Sequence, residues 1–159
     1  MALSSGTKAP SISAAATQAG GSWSMKDAKG SWLVLYFYPK DNTSGCTAQA
    51  CDFRDTMPRL ASAGVAVVGV SPDSVKSHDN FVQKHDLNFT LLSDPDSSIC
   101  EVYDVWKEKS MYGRKYMGVV RTTYLINPAG KIVHVWDKVS VKGHVDDVLA
   151  TLATHGITV

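Results

Sequence analysis

The run WLVLYFY, from Trp32 to Tyr38, leaves the chain few ways to fold. It is aliphatic and aromatic throughout, which reads as a central strand buried on both faces and not as the alternating strand of a sheet with one wet side. VAVVGVS, Val65 to Ser71, is a second such run. TTYLI, Thr122 to Ile126, turns through Asn127, Pro128, Ala129 and Gly130 into KIVHVW, which makes a hairpin of the last two strands. Helical stretches alternate with these strands. Cys46 to about Ala63 is one, with Thr43 or Ser44 able to cap its start and Pro58 forcing a kink or a restart. Ser74 to Asp86 and Asp96 to about Tyr103 follow, and His144 to His155 closes the chain with Val145, Val148, Leu149 and Leu152 at helical spacing. The front end, with Trp23 and a turn at Asp27 to Gly30, adds a short hairpin. The expected fold class is α/β, a central mixed sheet of four or more strands flanked by helices.

Residues 1–159 fit a single domain, since a chain of this size buries roughly 70% of the surface its unfolded form exposes. Sixteen basic residues against fifteen acidic ones give a formal charge of +1, without a basic run or acidic tail, so neither nucleic acid nor an anionic membrane is an expected partner. The amino end is small and polar where a secretory signal needs an apolar stretch, and no apolar run approaches the ~20 residues of a membrane span. The expected location is the cytoplasm. Thiols stay reduced there, so three cysteines point to chemistry or burial and not to a disulfide framework. The five histidines show no ligand spacing, and no glycine-rich phosphate loop follows a strand, so neither a metal nor any other cofactor is expected.

The stretch YFYPKDNTSGCTAQACDFRD carries the chemistry. A buried strand ends at Pro39, a polar loop follows, and Cys46 arrives in the first turn of the next helix. Cysteine reacts as the thiolate, and the positive end of a helix dipole with its unpaired N–H groups stabilises that anion. Each residue also has a plainer reading: Cys46 fills space, Pro39 ends a strand, Thr43 caps a helix, and Arg121 is a surface cation. Cys51, five positions after Cys46, gives C-x-x-x-x-C, which is neither a thioredoxin C-x-x-C nor a zinc knuckle. Cys100, beside Ile99 and near Tyr103, is read as a core residue.

Pro39, Thr43 and Cys46 form P-x-x-x-T-x-x-C, and GVVRTTYLI supplies Arg121 at the start of a strand. This pairing resembles the active-site signature of the peroxiredoxins. The likeness extends through VVGVSPDSVKSHDNF, LLSDPD, KEKSMYGRKYMGVVRTTYLINPAGKI and the final helix, over nearly the whole chain, and is specifically to the peroxiredoxin Q, or bacterioferritin comigratory protein, subfamily. The resemblance implies a thioredoxin-like fold with added amino-terminal elements, and a peroxidase that needs no cofactor. In that reading Cys46 attacks a hydroperoxide and becomes a sulfenic acid. Thr43 and Arg121 bind and polarise the peroxide, the N–H groups of Gly45 and Cys46 complete the donor set, and Pro39 shields the thiolate.

The resemblance also matches Cys51 to the resolving cysteine of relatives that keep both thiols in one helix. Other relatives carry that thiol one helix later, at the position of Val82. Many carry proline where this chain has Ser44. An external dithiol, thioredoxin being the family's choice, would reset a monomeric enzyme. Two other classes stand beside this one. A disulfide oxidoreductase on the same fold needs the C-x-x-C that is absent, and a non-enzymatic binding module or holdase would lose thiols slowly or not at all when exposed to peroxide.

Overall fold

The computed structural model describes residues 3–17 and 21–159. A five-stranded sheet forms the centre, built from β3 (Trp32–Phe37), β4 (Val65–Ser71), β5 (Thr90–Ser93), β8 (Thr122–Ile126) and β9 (Ile132–Trp136), in the order β5-β4-β3-β8-β9. The β5-β4-β3 half is parallel, and β8 and β9 run antiparallel, so the sheet is mixed. The Trp32–Tyr38 run supplies the middle strand. Its alternate residues face opposite layers, Leu33, Leu35 and Phe37 into one core and Val34, Tyr36 and Tyr38 into the other.

Three helices cover the second face: α1 (Ser44–Ser62), α2 (Val75–His85) and, after β9, α4 (His144–Thr154). The first face is covered by α3 (Ser98–Val102) and by the amino-terminal hairpin of β1 (Ser13–Ala15) and β2 (Ser22–Ser24), with Trp23 buried in it. Asp27–Gly30 is not that hairpin's turn. A short 3-10 turn at Met25–Ala28 carries the chain from β2 toward β3 instead, and the hairpin's own connection includes residues 18–20, outside the described residues.

Two expectations about α1 need correction. Thr43 stands at the cap position, but its hydroxyl bonds no helix N–H and donates instead to the Lys40 carbonyl at 2.9 Å. Of the kink or restart expected at Pro58, the restart does not occur, since the helix runs on through it to Ser62. Proline has no N–H for the carbonyl four residues back, and that carbonyl, on Arg54, accepts from the Asn88 side-chain amide at 3.2 Å. The orphaned acceptor is satisfied from outside the helix.

A further ribbon, β6 (Trp106–Met111) with β7 (Arg114–Val119), stands as its own two-stranded sheet. It delivers the chain to Arg121. Because Thr122 on β8 pairs with Phe37 on β3, Arg121 leaves the sheet beside the loop that opens α1.

Candidate active site

Cys46 occupies the third helical position of α1, and the first bond of the helix runs from Thr47 N to Thr43 O. The N–H groups of Ser44, Gly45 and Cys46 precede that bond, so the positive end of the helix lies at the sulfur. The thiol is 2% exposed, which removes it from bulk water without removing it from charge. Arg121 donates from Nη2 to Cys46 Sγ at 3.2 Å and from Nη1 to Gln49 Oε1 at 2.6 Å. The planar guanidinium thus spans the thiol and the amide, one donor nitrogen on each.

Gly45 permits this approach, because a β-carbon there would sit 3.3 Å from Arg121 Nη2. Beneath the helix, Tyr36 stacks on Phe53 with ring centroids 4.9 Å apart, its ring passing over Gly69, where a β-carbon would come within 2.9 Å of it. Burial, with the neighbouring Cys46 charge second, holds the Tyr36 phenol well above its ordinary pKa, so it stays neutral. His144, buried against Trp136 and Phe53, is pushed down to about 4 by burial, against the pull of Asp147. It is therefore uncharged near neutral pH, and Arg121 carries the positive charge of this corner.

The structure brings Cys46 and Arg121 into contact and sets Gly45 against both. Pro39 is half-buried in the loop after β3, and Thr43 is exposed in the same loop with its proton committed to Lys40. Cys51 lies in α1 itself, half-buried and unbonded to another cysteine. Gln49 is the residue that sequence reasoning missed. A glutamine inside a helix reads as solvent-facing, yet it is 1% exposed. Its place three residues after Cys46, on one helical face, was the available signal.

Cys100 lies across the sheet, fully buried in α3, with its N–H donating to Asp94 Oδ2 at 2.8 Å. Burial, reinforced by the hydrogen-bonded Asp94 carboxylate, raises its thiol far above the ordinary range. Among the described residues no group of histidines, cysteines and carboxylates has the arrangement of a metal site, and no helix is long and apolar enough to cross a membrane.

The AhpC/TSA family matches residues 5–135 of the chain. The chain belongs to that family. Its relatives place it in the Bcp, or peroxiredoxin Q, branch. It is 51% identical to the Coxiella burnetii putative peroxiredoxin Bcp over 96% of this chain and 100% of that one, and 45% identical to Bacillus subtilis peroxiredoxin Bcp over 96% of each. Among solved structures it resembles the Xanthomonas campestris bacterioferritin comigratory protein, studied for alkyl peroxide reduction, at 46% identity and a TM-score of 0.84 over 91% of each chain. This peroxiredoxin has the thioredoxin-like fold and is a thiol peroxidase, with a peroxide as substrate and a thiol as reductant.

Proposed function

We propose that Cys46 is the peroxidatic thiolate and Cys51 the thiol that resolves it, in a single-domain, cytoplasmic monomer of residues 1–159 reset by thioredoxin. The observation that carries this reading is the Arg121 guanidinium 3.2 Å from the Cys46 sulfur, at the positive end of α1. The thiolate attacks one peroxide oxygen, the O–O bond breaks, and its electron pair leaves on the other oxygen, which takes a proton to become water or alcohol. The enzyme keeps a sulfenic acid. Arg121 stabilises the charge that develops on the leaving oxygen, and the N–H groups of Gly45 and Cys46 join it. Thr43, its own proton given to Lys40, offers its oxygen to the proton of the peroxide. Pro39 shields the thiolate. Hydrogen peroxide and alkyl hydroperoxides are both within reach of this chemistry, the second in line with the activity studied in the Xanthomonas campestris relative.

Resolution follows when Cys51 attacks the sulfenic sulfur and expels hydroxide, and a dithiol then reduces the bond by exchange. Helix geometry constrains that step. Five residues of α-helix separate two α-carbons by about 8 to 9 Å and turn them about 140° apart, beyond the roughly 7 Å a disulfide tolerates. Cys46 and Cys51 both lie inside α1, so its first turns must unwind for the bond to form. Peroxide treatment should remove two thiols, with peptide mapping locating a Cys46–Cys51 bond and hydrogen exchange rising over residues 43–56. A Cys46–Cys100 bond, or equal protection in both redox forms, would overturn the reading.

A further inference from the structure

Thiol chemistry leaves one buried cluster of titratable groups unused. Asp41 sits in the loop between β3 and α1, and its side chain is 1% exposed. Oδ2 lies 2.6 Å from His78 Nδ1 and accepts from the Ser77 hydroxyl at 2.8 Å, while Oδ1 accepts from the Tyr38 hydroxyl at 2.6 Å. His78, on α2, is wholly buried, and its Nε2 faces the Leu92 carbonyl on β5 at 2.9 Å. A carbonyl can only accept, so Nε2 carries a proton. The second proton lies between Nδ1 and the carboxylate. Burial alone would raise the Asp41 pKa, and the bonds from His78, Tyr38 and Ser77 outweigh it to hold the carboxyl below its ordinary value. The imidazole and the carboxylate are therefore matched and hydrogen-bonded in a dry site.

Its place in the chain gives the pair a task. The Asp41 N–H donates to Asp73 Oδ2 at 2.7 Å, so main chain and side chain are both held to the far side of the sheet's end. Asn42, next in line, has a positive φ of 61°, and Thr43 bonds back to Lys40. The loop that hands Cys46 to Arg121 is thus pinned at its middle, immediately before the helix turns that must unwind.

We infer that His78 and Asp41 are positioning residues for the peroxide-attack step, a latch that holds loop 40–43 and the start of α1 in the attacking shape. The inference rests on Cys46 as the attacking thiol. It makes the two chemical steps respond in opposite senses. Loss of the latch slows attack, which needs the folded helix start, and does not slow disulfide formation, which needs it open. A residue with a merely structural role would move both together or neither.

The test is stopped-flow oxidation of reduced protein by hydrogen peroxide, following sulfenic acid and disulfide formation as separate phases. His78→Leu, which strands the Asp41 carboxylate, should slow the first phase about tenfold and leave the second unchanged or faster. His78→Asn, whose amide nitrogen stands where Nδ1 does, should return the first phase to within about threefold of the parent. Asp41→Asn, read the same way, should behave like His78→Leu and gives the answer if that variant does not fold. First-phase rates equal to the parent in His78→Leu or Asp41→Asn, or both phases falling by one factor, would overturn the latch. Cys46→Ser run alongside separates the two readings. Peroxide consumption surviving in that variant sinks the assignment of Cys46, whereas a dead Cys46→Ser beside an unaffected His78→Leu sinks the latch alone.

Discussion

Cys46 and Cys100 are hidden to the same degree, at 2% and 0% exposure, on opposite faces of one sheet. Cys46 faces the fork of Arg121 and the start of a nineteen-residue helix, and Cys100 faces the carboxylate of Asp94 from within a five-residue one. Burial disfavours a thiolate in both places. What separates them is the sign of the charge placed against the sulfur, and a half-buried cation against one thiol and a buried anion against the other act in opposite directions. The sheet keeps the two environments apart, so each can be tuned without disturbing its counterpart.

The largest effect should come from removing each sulfur in turn. Cys46→Ser should abolish peroxide consumption in the presence of a dithiol, because a serine hydroxyl is hardly ionised at neutral pH, and Cys100→Ser should leave turnover close to that of the parent. The reverse outcome would mean that the carboxylate-facing thiol is the nucleophile. A smaller loss is expected when the cation is kept and its shape changed. Arg121→Lys retains the charge without the two-pronged fork, and the first phase of oxidation should fall by about a hundredfold, the ~3 kcal/mol typical of losing one positioned donor. An unchanged rate would take Arg121 out of the chemistry. Smallest of all should be the response on the far face. Asp94→Asn removes the anion beside Cys100 and leaves the burial, so in a Cys46→Ser/Cys51→Ser background maleimide labelling of Cys100 should rise only severalfold. No change at all would assign its inertness to burial alone.

The strands that make the two cores were legible because their residues have nowhere else to go. Trp32–Phe37 and Val65–Ser71 are apolar on both sides and lie at the middle of the sheet. The β6–β7 ribbon left no such trace. KEKSMYGRKYM pairs Glu108 with Met117 and Ser110 with Lys115, and with little to bury it shows no period that a sequence reading can catch. Cys46 and Arg121 were legible through motif and resemblance, at a separation in sequence that spacing alone could not have bridged. Gln49 and the Asp41–His78 pair were not. Each is a polar residue whose burial follows from packing between distant elements, and a polar residue is read as exposed until its partner is known. Asp41 and His78 are 37 positions apart, and the chain between them holds a whole helix and strand, which is what brings them together.

Pro58 and Asn88 set a cooperative length on α1. The missing rung between Arg54 and Pro58 leaves Ser44 to Arg54 as a stretch shorter than the roughly 12–15 residues at which a helix in water becomes even marginal. Cys46, Ala50 and Phe53 pack this stretch on the sheet, so in the proposed cycle the unwinding that the Cys46–Cys51 bond requires begins there and need not pass Pro58. The last turn, Pro58 to Ser62, is left as a template in that cycle, and rewinding on a template is propagation without the costly nucleus, at about a nanosecond per residue. In the proposed cycle the helix therefore returns to its attacking shape as fast as the disulfide is opened, and the exchange of thiols sets the pace.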